Sequence, residues 1–208
     1  RAFARHHQGD LLGAIDDFDQ AIALGPKTAK IAAAYNNRGN ARIEQGNLAG
    51  AIADYDQAIA LDPKMAAAYA DRGLARHHQG DLPGAMSDFD RAIALDPMIV
   101  EVYLARGAAR YDQGDLAGAI SDIDRVIALD PQMALAYLGR GDARYGQGDL
   151  AGAIIDYDQV IALDPTIALA YFNRGLARHK QVDLAGAISD YNPVSYTHLR
   201  AHETDSYL

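Results

Sequence analysis

The stretch RGLARHHQGDLPGAMSDFDRAIALDP, residues 72–97, decides the fold, because it returns with small changes along the whole chain. With the glycine after its first arginine as a register mark, Gly39, Gly73, Gly107, Gly141 and Gly175 stand 34 residues apart. A fixed period of this length is the sign of small units stacked into an array, each unable to bury its apolar face alone. Complete units run over 32–65, 66–99, 100–133 and 134–167, with a partial unit before them over 1–31 and another after them over 168–192. The step between the first two units is 37, three residues near Thr28, Ala29 and Lys30 being inserted after Pro26.

Each unit reads as two helices. In the unit that starts at residue 32, the spacing predicts a first helix from about Ala32 to Gln45, with Tyr35, Arg38, Gly39 and Arg42 on one side of it. It stops at Gly46. The second helix starts at Asn47, where the other units place Asp10, Asp81, Asp115, Asp149 and Asp183, all side chains that accept hydrogen bonds from the free N–H groups of a first helical turn. Ala51, Ile52, Tyr55, Ala58 and Ile59 make its apolar stripe. It ends before Asp62-Pro63, since proline disfavours helical geometry in the residue preceding it. Small residues, Gly39 and Ala41 on one helix and Ala51 and Ala58 on the other, mark where the two approach closely.

Arginines recur four residues apart on the first helices: Arg38/Arg42, Arg72/Arg76, Arg106/Arg110, Arg140/Arg144 and Arg174/Arg178. Like charges at that spacing destabilise an isolated helix by a few tenths of a kcal/mol, roughly, so something must offset them. The pairs Asp54/Asp56, Asp88/Asp90, Asp122/Asp124 and Asp156/Asp158 recur on the second helices, and bidentate arginine–aspartate contacts would stitch each hairpin. The alternative is a solvated charged face, where each exposed pair contributes only about 0–1 kcal/mol.

Tyr35, Gly39, Ala51, Tyr55, Ala58 and Pro63, with their equivalents in every unit, resemble the signature positions of the tetratricopeptide repeat over residues 1 to about 192. The resemblance implies an all-α, right-handed superhelical solenoid of antiparallel helix pairs, five to six repeats long, whose first helices line a concave groove for peptides or partner proteins. The family usually carries a leucine and an aromatic residue where this chain repeats arginines, as at Arg38 and Arg42.

In the family geometry the groove side chains stand at unit positions two, five, nine and twelve. The candidate binding residues are then Asn36, Asn40 and Ile43; Leu74 and His77; Glu101, Leu104 and Tyr111; Leu135, Leu138, Asp142 and Tyr145; and Leu169, Phe172, Leu176 and His179. This face becomes more apolar towards the C-terminus. Leu104, Leu135, Leu138, Leu169 and Phe172 would form an interaction stripe, with Tyr111 and Tyr145 as aromatic anchors. The other reading is that these side chains pack against neighbouring helices. The clamp with which some relatives hold acidic tails needs asparagines and basic residues at set groove positions. Asn36 and Asn40 fit it, but Asp71, Glu101 and Ala105 do not, so an acidic tail is a poor ligand.

Composition narrows the function classes further. With 28 acidic and 19 basic side chains the formal charge is −9, which repels phosphate backbones and argues against nucleic acid as a partner. No cysteine is present, so disulfides, thiolate metal sites and cysteine nucleophiles are out of account, while a cytosolic or a periplasmic home stays open. No apolar run approaches the roughly 20 residues that cross a bilayer. Seven histidines include the pairs His6-His7 and His77-His78, but adjacent side chains on a helix point about 100° apart and do not converge on one ion. The repeated GDLxG strings follow a helix and lead to no Lys-Ser/Thr, so they are turns and not phosphate cradles. The expectation is a binding scaffold without catalytic site, cofactor or metal. A self-assembling module, its ends stacking on further copies, and an accessory domain of a larger protein are the alternatives.

The chain opens at Arg1 inside a helix pattern, as a fragment would. Pro193 falls where the last second helix should continue, and the composition changes there to VSYTHLRAHETDSYL. Val194–Thr204 resembles a translated transposase-type sequencing adapter, which implies an open reading frame from a metagenomic or assembly contig that ran into adapter. A flexible native tail is the competing reading.

Overall fold

The structure, a computed structural model, describes Ala2, Arg5, residues 9–25 and residues 28–192. The described residues form helices and turns, with no strand among them. In chain order the helices are α1 (Leu11–Leu24), α2 (Ala29–Glu44), α3 (Leu48–Leu61), α4 (Ala66–Gln79), α5 (Leu82–Leu95), α6 (Val100–Asp112), α7 (Leu116–Leu129), α8 (Ala134–Gln147), α9 (Leu150–Leu163), α10 (Ala168–Lys180) and α11 (Leu184–Tyr191). Contacts gather the chain into two units, Arg1–Ala105 and Arg106–Leu208, which divide within α6.

In the first unit α2 pairs with α3 and α4 with α5, and α3 packs on α4. In the second, α8 pairs with α9 and α10 with α11, while α9 packs on α10. Within a pair the helices run antiparallel: Arg38 meets Asp54, while Arg42, four residues further on, meets the Gly50 carbonyl, four residues further back. First helices also touch the next first helix, α2 against α4 and α8 against α10.

The predicted helix starts are where the sequence placed them. Asn47 and the five equivalent aspartates accept a hydrogen bond from the backbone N–H three residues on, at 2.9–3.0 Å. The second helices α3, α5, α7 and α9 all end one residue before the Asp-Pro pair. The first helix of the second repeat departs from the expectation. It begins at Ala29 and runs 16 residues where α4 runs 14. The three inserted residues hold no proline or glycine, so they extend the helix by most of a turn instead of bulging from the linker.

Between the paired helices the core is narrow. Ala41, Ala75, Ala109, Ala143 and Ala177 of the first helices are buried, as are Ala51/Tyr55, Ala85/Phe89, Ala119/Ile123 and Ala153/Tyr157 of the second, and the packing continues from repeat to repeat, with Ala75 against Ala51 and Tyr55 and Ala177 against Ala153 and Tyr157. Each buried aromatic side chain stabilises by roughly 1.5–3 kcal/mol. Its ring lies on a glycine: a Cβ at Gly73 would stand 2.7 Å from the Phe89 ring, and one at Gly141 2.6 Å from the Tyr157 ring. At Gly107 the residue across is Ile123, and the nearest atom is Asp122 Cβ at 3.4 Å, an ordinary contact.

The arginine pairs are not a solvated face. Asp54, Asp88, Asp122 and Asp156 are 1–3% exposed, and each takes both arginines of its repeat. Arg72 donates through Nε to Asp88 Oδ2 at 2.9 Å and through Nη2 to Oδ1 at 2.6 Å, and Arg76 Nη1 reaches the same Oδ2 at 2.8 Å. The pattern recurs with Arg38/Arg42 on Asp54, Arg106/Arg110 on Asp122, Arg140/Arg144 on Asp156 and Arg174/Arg178 on Asp190. One carboxylate between two guanidiniums is what offsets their mutual repulsion. The other aspartate of each pair reaches forward instead: Asp56 accepts from Arg72 at 2.6 Å, Asp124 from Arg140 at 2.7 Å and Asp158 from Arg174 at 2.6 Å, so the seam also joins successive repeats. The bond to Asp88 foremost holds the Arg72 guanidinium above its ordinary pKa.

Helix α11 has eight residues where its equivalents have 14. Pro193 and the adapter-like stretch Val194–Thr204 lie outside the described residues, as do His6 and His7.

Candidate functional site

With the seam on one side of each first helix, the opposite side carries the residues that differ from repeat to repeat. In the first unit Asn36 is buried, Asn40, Ile43, His77 and Leu104 are half-buried, and Leu74 and Glu101 are exposed. In the second, Leu138 is buried and Asp142, Tyr145 and Leu176 are half-buried, while Tyr111, Leu135, Leu169, Phe172 and His179 are exposed. Asn36 and Leu138 therefore face neighbouring helices. Leu138 sits among Ala153, Tyr157 and Ala170. Unit position five is thus buried at Asn36 and Leu138 but exposed at Phe172, a difference that spacing alone does not reveal.

Two pockets gather some of the remaining candidates, while His77, Glu101, Leu104, Leu135, Leu169, Phe172 and His179 line neither. The first, of about 390 Å³, brings Asn40, Ile43 and Leu74 together with Tyr55, Asp71 and His78. The second, of about 240 Å³, brings Tyr111, Asp142, Tyr145 and Leu176 together with Tyr157 and Asn173. Unit positions two, five, nine and twelve do not select Tyr55, Asp71, Tyr157 or Asn173.

These residues form the polar floor of each pocket. Tyr55 Oη donates to Asn40 Oδ1 at 2.7 Å, and Asn36 Nδ2 donates to Asp71 Oδ2 at 2.9 Å. In the second pocket Asp142 Oδ1 accepts from both Tyr157 Oη and Asn173 Nδ2, each at 2.8 Å. Burial pushes the Asp71 carboxyl above the usual range, with hydrogen bonds from Asn36 and Asn40 opposing it, and Asp142 is raised for the same reason against bonds from Tyr157 and Asn173. Burial likewise raises both tyrosine hydroxyls. A signal for these clusters was present in the repeat: where the second helix carries Tyr55 or Tyr157, unit position nine and position six of the next repeat are Asn40/Asp71 or Asp142/Asn173. Where it carries Phe89 or Ile123, they are Leu74/Ala105 or Ala108/Gly139. A buried hydroxyl demands polar partners, and an apolar side chain does not.

The His77 and His78 rings stand 6.2 Å apart at 87°, edge to face. Among the described residues no three histidine or carboxylate side chains are gathered to hold a metal, and no helix is long and apolar enough to cross a membrane.

Comparison with known proteins agrees with the repeat. A family model described as TPR repeat matches residues 39–80 and 73–114, and one described as tetratricopeptide repeat matches 104–166, together more than half of the chain. Similar solved structures include the C-terminal part of a TPR repeat-containing protein from Cytophaga hutchinsonii, at 20% identity and a TM-score of 0.79 over 91% of this chain and 75% of that one. MamA from Desulfovibrio magneticus is similar at 21% identity and 0.75, over 85% and 98%. YrrB, described as a TPR protein with an unusual peptide-binding site, is similar at 22% identity and 0.73, over 89% and 97%. At these identities the likeness speaks for the fold, and no curated protein matches the chain in sequence. With its 34-residue period, capped antiparallel helix pairs and both family models in agreement, the chain belongs to the tetratricopeptide-repeat family, whose all-α arrays are scaffolds for protein interaction.

Proposed function

We propose that the chain binds an extended peptide or a segment of a partner protein along the variable faces of its first helices. The observation that supports this most directly lies in the second unit. Leu135 on α8 and Leu169 and Phe172 on the adjoining α10 are 65%, 50% and 52% exposed. Large apolar side chains grouped on neighbouring helices and left in water mark a surface that a partner covers. The pocket walled by Tyr111 and Tyr145 would take an anchoring side chain. Such a function calls for no catalytic group, cofactor or metal. It is tested by titrating the full, isotopically labelled chain with peptides selected from a random library and following the backbone amide resonances. Shifts concentrated on α8 and α10 are expected. Shifts confined to the second helices, or no selectable peptide, would count against it.

A second reading has its own observation. On α11, Leu184, Ile188 and Tyr191 are 53%, 67% and 41% exposed, while their equivalents Leu150, Ile154 and Tyr157 are half-buried or buried beneath the next repeat. A second copy docking there would give end-to-end self-association. Light scattering across a concentration series separates the readings: a constant mass with peptide capture favours the first, and growth with concentration the second.

A further inference from the structure

Five aspartates of the seam are neutralised by two arginines each, but Asp71 and Asp142 are not. Both are half-buried, and among the described residues neither has an ion pair. Their partners are the neutral amides and hydroxyl of Asn36, Asn40, Tyr157 and Asn173, which orient a carboxylate without cancelling its charge. Next to Asp71, the buried Asn36 Oδ1 has no donor, which makes the local potential more negative still.

Each of these carboxylates opens on one of the two pockets. The device is built twice with its parts exchanged. In the first unit the amide is on the leading helix and the acid on the following one, Asn40 then Asp71; in the second the acid leads and the amide follows, Asp142 then Asn173. A tyrosine from the intervening second helix completes both. The walls suit a long cationic side chain, with Ile43 and Leu74 for an aliphatic stem in the first pocket, and Tyr111 and Tyr145 in the second. The aromatic wall already holds an ammonium: Lys180 Nζ stands 4.9 Å from the centroid of the Tyr145 ring. A net charge of −9 steers a basic ligand towards the chain.

We propose that the pockets at Asp71 and Asp142 each receive a lysine or arginine side chain of a bound peptide, the half-buried carboxylate pairing with the incoming cation. This deepens the peptide-binding reading and rests on it. Burial of both carboxyls agrees with the proposal, since a desolvated acid with neutral partners gains most from a cation.

The test selects peptides from a displayed random library on the full chain, then measures synthetic copies by fluorescence anisotropy. Selected peptides should be enriched in lysine or arginine. Asp71→Asn or Asp142→Asn should weaken binding at least about tenfold, with thermal melting followed by circular dichroism to confirm the fold. Replacing the peptide's basic residue by norleucine should weaken binding to the unaltered protein by a similar factor, and it does not depend on any variant folding. Peptides that bind but show no basic enrichment, or that lose nothing on the norleucine exchange, overturn the cationic pairing and leave the groove reading standing. Failure to select any peptide overturns the groove reading itself.

Discussion

The two sides of every first helix obey different rules. On one side the same arginine pair grips the same aspartate in repeat after repeat, from Arg38 and Arg42 on Asp54 to Arg174 and Arg178 on Asp190. On the other, the corresponding positions hold Asn40, Leu74, Ala108, Asp142 and Leu176 in turn. Where a residue must satisfy a neighbour inside the chain, the neighbour repeats and so does the residue. Where it faces outward the internal constraint is weaker, a tyrosine hydroxyl to satisfy at Asn40 and Asp142 and none at Leu74, Ala108 or Leu176, and the variation has room to fit something else. Under the proposed function, stability belongs to the constant side and recognition to the variable one.

The largest test of that division is on the seam. Asp88→Ala leaves the Arg72 and Arg76 guanidiniums without their shared buried carboxylate and should cost about 3–5 kcal/mol in urea unfolding. A double-mutant cycle of Arg72→Ala with Asp88→Ala should give a coupling of about 1.5–3 kcal/mol, and no coupling would return these charges to a merely solvated face.

Next come the glycines, which look alike in sequence. Gly73→Ala puts a methyl group 2.7 Å from the Phe89 ring and should cost about 1–3 kcal/mol. Gly107→Ala meets nothing closer than 3.4 Å and should be neutral or stabilising by up to about 1 kcal/mol, as alanine favours helix over glycine. Equal effects at the two sites would contradict the packing described.

The turn before each second helix offers a gain. Gly46, Gly80, Gly114 and Gly148 have φ of 77–87°, and at the same place Val182 has φ of 67°. A β-branched residue there is strained and Val182 is largely exposed, so Val182→Gly should raise stability by about 1 kcal/mol in thermal melting.

The smallest effect distinguishes the pocket acids from the seam. The Asp71 carboxyl is raised in the folded chain from 3.8, so the native state binds its proton more tightly than the unfolded state does. Its contribution to stability is full below pH 3.8 and is lost as pH rises through the folded value. Asp71→Asn should therefore flatten that part of the stability–pH curve relative to the unaltered chain. Curves that stay parallel throughout would show that Asp71 is not desolvated.

Most of the fold was legible because its signals are local: a cap at Asn47, a stop at Asp62-Pro63 and alanines at close approaches each act within a few residues. Pairing on the seam was legible in kind but not in partner. That Asp54 serves both arginines of its own hairpin while Asp56 serves Arg72 of the next depends on which face each turns, a matter of three dimensions. The candidate site was legible only in part. Asn36 and Leu138 stand at groove spacing yet are buried, since spacing fixes a direction on a helix and not what lies in that direction. The carboxylate clusters at Asp71 and Asp142 needed a comparison across repeats, tyrosine against phenylalanine or isoleucine, because their members are 15 to 35 residues apart.

The division between the two sides is tested most directly by the affinity of a library-selected peptide for the variant Leu135→Ala/Leu169→Ala/Phe172→Ala, which removes exposed apolar surface and leaves the seam intact. Binding should be lost while the unfolding midpoint stays close to that of the unaltered chain. Unchanged affinity, or a collapse of stability in its place, would show that these side chains serve the fold and not a partner.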